Sequence, residues 1–196
     1  SRQVQSEKRV VNVHLIVKEA LKLLRSSIPS SINIVHNIDP KSPPVLADPT
    51  QIHQVIMNLC TNAYQAMINN GGTMKITLGK IQADDSFAAE HPGITPGPFI
   101  KLTVKDTGCG MDQEVMNRIF EPFFTTKEKS SGTGLGLATV HGIVAGLSGL
   151  ITVTSTIGKG STFDVYLPAY FGEDKKEHRE SESIPAGNGE KILMVD

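Results

Sequence analysis

Residues 120–137 read FEPFFTTKEKSSGTGLGL, an aromatic motif and a glycine-rich motif joined by a polar segment. The glycines resemble a dinucleotide-binding fingerprint, but that pattern requires a strand immediately upstream, and residues 125–131 are polar. The remaining interpretation is a glycine loop that leads into a helix, whose first N–H groups and dipole favour a phosphate. A plain surface loop is the alternative that this stretch leaves open. Phe123 and Phe124 are predicted to anchor the loop in the core.

Upstream of this stretch, Asp106 comes directly after the strand-like run 100–105 and is followed by Gly108 and Gly110. A carboxylate at the end of a strand can accept a hydrogen bond from an adenine amino group, and glycines let a flat base lie against the backbone. Asp and Gly are also among the commonest residues of ordinary turns. The segment is therefore either a base-binding loop or a turn.

Further upstream, Asn58 and Asn62 lie one helical turn apart at the edge of an apolar stripe. The stripe consists of Ile52, Val55, Ile56, Leu59, Ala63 and Met67. An amide oxygen is a hard ligand of the kind that Mg²⁺ prefers while it also holds substrate phosphates. The two amides either face a cleft and bind a magnesium nucleotide, or they cap loops and bind neighbouring backbone.

Periodicity and turn residues predict the other elements. Asp48 is expected to cap a helix that has Pro49 in its first turn and ends near Ile68. The segment 82–98 contains three prolines and two glycines and is predicted to be a surface loop. The remaining predicted elements are helices over 13–24, 112–119 and 135–147 and strands over 32–38, 45–47, 73–81, 99–105, 150–155 and 161–167.

The composition excludes several kinds of partner. A net charge of −1 provides no basic field for nucleic acid or an anionic membrane. Cys60 and Cys109 have no metal-binding spacing, and two lone thiols fit a reducing compartment, so a cytoplasmic protein is expected. Residues 134–153 are uncharged and long enough to span a membrane, but five glycines interrupt them. A buried helix followed by a strand is predicted there, without membrane contact.

Five segments, taken in order, resemble the motifs of the GHKL superfamily of ATPases and kinases. They are residues 54–67 (QVIMNLCTNAYQAM, the N box), 106–110 (first glycine box), 120–124 (F box), 132–137 (second glycine box) and 158–163 (last glycine-containing turn). Over roughly residues 10–170 the chain looks most like the ATP-binding domain of bacterial sensor histidine kinases. The resemblance implies an α/β two-layer sandwich of the Bergerat type, in which three helices cover a mixed, mostly antiparallel sheet.

The resemblance also implies that the cofactors are ATP and Mg²⁺, with Asn62 on the metal, Asp106 on the adenine amino group and Thr162 near the adenine through its hydroxyl or a water. Residues 125–131 look like the mobile ATP lid of the family. The implied ATP-binding residues are Asn58, Asn62, Gln65, Ala66, Asp106, Gly108, Gly110, Met111, Lys127, Gly132, Thr133, Gly134, Leu135, Gly136, Leu137 and Thr162.

Position 58 distinguishes between the chemistries of the superfamily. Members that hydrolyse ATP carry a glutamate there to activate water, and Asn58 cannot serve as a carboxylate base. We therefore expect Asn58 to be catalytic in phosphoryl transfer to a protein histidine. An ATP hydrolase and a nucleotide-binding regulatory module remain the alternatives. Gln65 departs from the basic residue that many histidine kinases have at this position.

The resemblance predicts the following domain organisation. Residues 1–9 would end the dimerisation and phosphotransfer helix and its linker, residues 10–171 would be the catalytic domain, 172–189 a charged linker, and 190–196 the start of a truncated receiver domain. The expected partners are the protein's own dimerisation domain, as a homodimer in the intact protein, and a receiver domain or response regulator. Whether the full-length protein is membrane-anchored stays open.

Overall fold

A computed structural model describes residues 7–91, 93–126 and 133–172 of the 196-residue chain. The strands of these residues are β1 (Arg9–Val11), β2 (Ile32–Ile38), β3 (Val45–Ala47), β4 (Gly72–Ala83), β5 (Gly97–Lys105), β6 (Leu150–Thr156) and β7 (Gly160–Pro168). The helices are α1 (Val13–Ser27), α2 (Pro49–Met67), α3 (Asp85–Glu90), α4 (Gln113–Arg118) and α5 (Gly136–Gly146).

Five of the strands form one sheet in the order β2-β4-β5-β7-β6. Only β2 and β4 are parallel in this sheet, and its other three pairings are antiparallel. Strands β1 and β3 form a separate antiparallel pair. The predicted mixed, mostly antiparallel sheet is therefore confirmed.

Helices α1, α2 and α5 cover one face of this sheet, as the resemblance implies. Alternate residues of the central strands, such as Ile76, Leu102 and Val165, are buried in the same core as Ile56 and Leu59 of α2. The two-layer sandwich is therefore confirmed. Within the described residues, no helix combines the length and the apolar character that crossing a membrane requires.

Local chemistry explains the bounds of α2. Asp48 caps it, because its carboxylate accepts a hydrogen bond of 2.8 Å from the Thr50 N–H, and Pro49 occupies the first helical position. The helix ends at Met67, and Gly71 follows with φ of +67°. A side chain at Gly71 would collide with the Ser31 carbonyl oxygen, so the turn requires glycine.

The segment 82–98 is not the simple loop that its prolines and glycines predicted. Strand β4 continues to Ala83, Asp84 caps the short helix α3, and β5 begins at Gly97. Phe87 of α3 packs against Tyr166, with ring centroids 5.1 Å apart. This small cluster covers part of the sheet face that the other helices leave open, which is a tertiary contact without a local sequence signal.

The predicted domain boundaries are only partly within the described residues. Arg9 belongs to strand β1 and pairs with Ala47, so it is in a strand of the small sheet and not in a helix. The predictions for residues 1–6, for most of the charged linker and for the receiver segment 190–196 lie outside the described residues.

Candidate nucleotide-binding site

A cleft of about 470 Å³ opens between α2, α5, the end of β5 and the start of β7. Polar groups line much of it, although it also has an apolar wall. The described lining residues are Asn58, Thr61, Asn62, Gln65, Ala66, Asp106, Cys109, Gly110, Met111, Val115, Ile119, Phe124, Thr125, Thr126, Thr133, Gly134, Gly136, Leu137, Ser161 and Phe163.

One end of the cleft combines an amide of α2 with the beginning of α5. The Asn58 Oδ1 atom lies 3.5 Å from the position that a Cβ on Gly136 would occupy. Gly136 is the first residue of α5, and the first N–H groups of a helix have no partner within the helix. These N–H groups, the helix dipole and the Asn58 amide together form a place for an anion such as a phosphate.

The other end of the cleft is built around Asp106, which follows β5. Its side chain is only 2% exposed, and its Oδ1 atom accepts N–H bonds from Gly108 at 2.8 Å and from Ser161 at 3.3 Å. Burial raises the pKa of Asp106 above its ordinary value, and the two N–H groups oppose this shift because they stabilise the carboxylate. Asp106 is thus a rigidly held hydrogen-bond acceptor in a largely desolvated position.

The glycines around Asp106 allow three segments of the chain to approach closely: the loop itself, the end of α2 and the end of β6. A side chain on Gly108 would collide with the Ala66 carbonyl of α2, and one on Gly110 with the Thr156 carbonyl of β6. Between them, Cys109 donates its N–H to the Ala66 carbonyl at 3.1 Å and accepts the Gly158 N–H at 2.7 Å. The loop is therefore fastened on both sides and leaves the Asp106 carboxylate on the cleft.

The aromatic motif is hydrogen-bonded to the glycine-rich segment through its backbone. Phe123 has a φ of +66° and donates its N–H to the Gly134 carbonyl at 3.0 Å. The guanidinium of Arg118 lies 4.3 Å from the centre of the Phe124 ring and also pairs with Glu121. The prediction that Phe123 anchors this loop in the core is wrong, since its side chain is 74% exposed. Its backbone makes the connection instead.

Eleven of the sixteen residues predicted to bind ATP lie on the cleft wall: Asn58, Asn62, Gln65, Ala66, Asp106, Gly110, Met111, Thr133, Gly134, Gly136 and Leu137. Gly108 does not line the cleft but supports it, since its N–H holds Asp106. Leu135 is not on the wall either, and its side chain is 42% exposed. Lys127 and Gly132 lie outside the described residues.

Thr162 is directed away from the cleft, contrary to the expected contact with the adenine. It pairs with Lys105 and Thr154 across the sheet, on the face opposite α2 and α5. Because successive residues of a strand point to opposite faces, its neighbours Ser161 and Phe163 line the cleft instead. The alternation of β7 carried this signal, since the buried Val165 and Leu167 share the parity of Ser161 and Phe163.

The sequence of this chain is similar to those of a known family and of several characterised proteins. Residues 47–170 match the family described as "Histidine kinase-, DNA gyrase B-, and HSP90-like ATPase". The sensor kinase CckA of Brucella abortus (strain 2308) is 38% identical over 161 residues, which cover 78% of this chain and 17% of CckA. The signal transduction histidine-protein kinase AtoS of Escherichia coli (strain K12) is 34% identical over 169 residues, covering 86% of this chain and 25% of AtoS.

A solved structure extends the comparison to the fold. The catalytic domain of the histidine kinase ThkA has a TM-score of 0.67 and 28% identity, with 83% of this chain and 96% of that chain covered. The chain spans a quarter or less of the length of CckA and AtoS. The similarity to the ATP-binding domain of sensor histidine kinases that the five motifs indicated is confirmed, and the chain belongs to the family of histidine kinase-, DNA gyrase B- and HSP90-like ATPases.

Proposed function

We propose that this chain is the ATP-binding catalytic domain of a two-component sensor histidine kinase. In the intact protein it holds ATP and presents the γ-phosphate to a histidine on a separate dimerisation domain. The observation that carries this proposal is the amide of Asn58 against the first turn of α5, where an ATP-hydrolysing relative would carry a carboxylate.

The shape of the cleft supports one orientation of the nucleotide. Asn58 and Ala66 are eight residues apart on α2, which corresponds to about 12 Å along the helix axis. The adenine lies at the Ala66 end, with its amino group directed to Asp106 and its flat face along the Gly108–Gly110 backbone. The phosphates lie at the Asn58 end, where the first N–H groups of α5 compensate their charge.

The residues present also fit a magnesium ion that accompanies the nucleotide. The described residues contain no group of three or more His, Cys, Asp or Glu side chains that could hold a metal by themselves. The cleft instead offers the amide oxygen of Asn62 on α2, one turn from Asn58. A Mg²⁺ ion with one or two protein ligands and several phosphate oxygens fits this donor set, and it would neutralise charge on the phosphates.

Transfer of a phosphoryl group to another protein depends mostly on positioning and charge compensation, which this chain can supply. Asp106 is the only carboxylate among the described residues that line the cleft, and it lies at the adenine end. Asn58 has no proton-accepting carboxylate and therefore orients the phosphates without activating water. The acceptor histidine, and the base that deprotonates it, come from the dimerisation domain.

The test is phosphorylation of the intact protein with ATP labelled on the γ-phosphate. We expect acid-labile label on a histidine of the dimerisation domain, and little release of phosphate by the isolated chain. Nucleotide binding without label on any histidine would instead identify a regulatory module. Multiple-turnover release of phosphate by the isolated chain, at rates typical of enzymes, would identify an ATP hydrolase.

The partners of the whole protein follow from the same proposal. The protein acts as a homodimer through its dimerisation domain, and a receiver domain or response regulator takes the phosphoryl group from the histidine. The domain works in the cytoplasm, where ATP is available. Incubating the labelled protein with a candidate response regulator tests this step, since the label should move from the histidine to the regulator.

A further inference from the structure

Ser155 of β6 lies just behind the Asp106 end of the cleft and is half-buried. Its hydroxyl oxygen accepts the Met111 N–H at 2.8 Å and donates its proton to the Gly160 carbonyl oxygen at 3.1 Å. The same oxygen lies 3.0 Å from the hydroxyl oxygen of Ser161, which is on the cleft wall. Ser155 therefore connects the floor of the cleft to two backbone groups.

The number of protons in this group determines the direction of the bond between the two serines. A serine hydroxyl has one proton to donate and two lone pairs that accept. Ser155 uses its proton on Gly160 and one lone pair on Met111, so only a lone pair remains for Ser161. Because the Gly160 carbonyl can only accept, the arrangement that makes all three bonds has Ser161 donating its proton to Ser155, which leaves the Ser161 oxygen as an acceptor on the cleft side.

The backbone around this group is closely packed. A side chain on Gly160 would lie 2.1 Å from the Asp106 carbonyl oxygen, and one on Gly110 would lie 2.0 Å from the Thr156 carbonyl oxygen. Both positions therefore require glycine, and the chain segments beside Ser155 approach each other closely. The Ser155 proton satisfies the Gly160 carbonyl oxygen only when Ser161 is the donor of the bond between the two serines.

Asp106 and Ser161 are adjacent in the floor, since the Ser161 N–H bonds to the Asp106 carboxylate. The carboxylate accepts, and in this arrangement the Ser161 oxygen also accepts, so these two side chains present acceptors to the cleft. The amino group at position 6 of adenine can donate hydrogen bonds to these acceptors. The same acceptors repel the oxygen at position 6 of hypoxanthine or guanine, because two acceptors that face each other are left without a proton.

We propose that Ser155 is a specificity-determining positioning residue: by holding the Ser161 proton, it makes the floor of the cleft accept only and so selects 6-aminopurine over 6-oxopurine nucleotides. This inference rests on the proposed function, in which the cleft takes ATP. Ser155 itself does not touch the nucleotide. Without its hydroxyl, the Ser161 proton becomes free to rotate and to donate to an oxygen at position 6.

The experiment compares the dissociation constants of ATP and inosine triphosphate, measured by competition with a fluorescent ATP analogue. The variants are Ser155→Ala, Ser155→Thr and Ser161→Ala, with Thr154→Ala as the matched control. Thr154 is the preceding residue of the same strand, is exposed and lies on the opposite face of the sheet. It therefore tests the loss of a hydroxyl from β6 without any change in the cleft.

We expect the wild-type domain to prefer ATP and Ser155→Ala to reduce this preference by about tenfold, mainly through tighter binding of inosine triphosphate. Ser155→Thr keeps the hydroxyl and should keep the preference, as should Thr154→Ala. Ser161→Ala removes the acceptor and should also reduce the preference, which provides a second test if Ser155→Ala does not fold. An unchanged preference in a folded Ser155→Ala or Ser161→Ala overturns the inference. A wild-type domain that binds neither nucleotide refutes the proposed function instead.

Discussion

Asn58 and Asn62 are identical side chains in different surroundings. They are one turn apart on α2 and both line the cleft, but the Asn58 amide lies against the first residue of α5. Asn62 lies one turn closer to the adenine end. In the proposed complex, Asn62 would hold the magnesium ion and Asn58 would orient the phosphates.

Substitution of Asn62 tests its proposed role on the metal. We expect Asn62→Ala to abolish most of the increase in ATP affinity that Mg²⁺ causes, because the proposed metal ligand is lost and the described residues that line this end of the cleft include no carboxylate. Asn37→Ala is the control, since Asn37 is exposed on β2 at the edge of the sheet. Titration of ATP with and without Mg²⁺ provides the measurement, and an unchanged effect of Mg²⁺ in Asn62→Ala would contradict the assignment.

The raised pKa of Asp106 predicts that the free energy of unfolding and the affinity for ATP depend on pH in opposite directions. Burial raises its pKa above the ordinary value of 3.8, so the folded protein holds this proton more tightly than the unfolded chain. Its contribution to the free energy of unfolding is therefore fully favourable below pH 3.8 and decreases as the pH rises through the raised value. ATP affinity should increase over the same range, because the adenine amino group requires an acceptor.

The measurement is the dissociation constant of ATP between about pH 4 and 7, for the wild type and for Asp106→Asn. The phosphates of ATP titrate equally in both proteins, so the difference between the two curves isolates Asp106. We expect the wild-type affinity to rise more steeply with pH than that of the variant. Parallel curves would show that Asp106 does not change its protonation on binding.

At the scale of single elements, helix α2 combines core packing with presentation of the site. Ile52, Ile56 and Leu59 are almost completely buried, while Asn58, Asn62 and Gln65 line the cleft on an adjoining side. The helical period alone therefore puts the apolar residues and the polar residues on different sides of α2. By contrast, α3 has only six residues, and its Phe87 depends on Tyr166 of β7 for its position.

Truncation of the buried face of α2 should destabilise the whole domain. Leu59 has no exposed surface, so Leu59→Ala is expected to lower the free energy of unfolding by about 2–5 kcal/mol. Leu23→Ala is the matched control, because Leu23 of α1 is 49% exposed, and its effect should be within about 0.5 kcal/mol. Urea unfolding followed by circular dichroism measures both, and equal losses in the two variants would contradict this description of the core.

At the scale of the whole molecule, the reactivity of one cysteine tests the core and the reactivity of the other tests the cleft. Cys60 lies inside α2 with no exposed surface, and burial raises the pKa of its thiol to about 12. Cys109 is exposed and lines the cleft. Since only the thiolate is an effective nucleophile, the two side chains should differ strongly in reactivity.

Iodoacetamide should therefore alkylate Cys109 in the native protein and leave Cys60 unmodified until the protein unfolds. ATP should slow the alkylation of Cys109, because the nucleotide covers the cleft. Mass spectrometry of the digested protein locates the label, and Cys109→Ser is the control that should remain unlabelled when folded. Preferential labelling of Cys60 would contradict its burial in the core. Labelling of Cys109 that ATP does not slow would contradict the proposed position of the nucleotide.

Much of the fold was predictable because its signals are local. The apolar period of α2, the Asp48 cap and the alternating strands are each encoded within a few consecutive residues, and the observed elements agree with them. The segment 82–98 and strand β1 were not predicted, because both depend on residues distant in sequence. Phe87 packs against Tyr166, and Val11 pairs with Val45.

The amino-acid sequence alone was enough to identify the family and most of the residues that line the cleft, since Asn58, Asn62, Asp106 and the glycines occur in ordered motifs. The face to which each strand residue points became clear from the pairing of the strands. The register of β7 with β5 and β6 directs Ser161 into the cleft and Thr162 to the opposite side. It also brings Ser155, Met111 and Gly160 together. These contacts depend on pairing between strands that are distant in sequence. A short sequence motif cannot predict them.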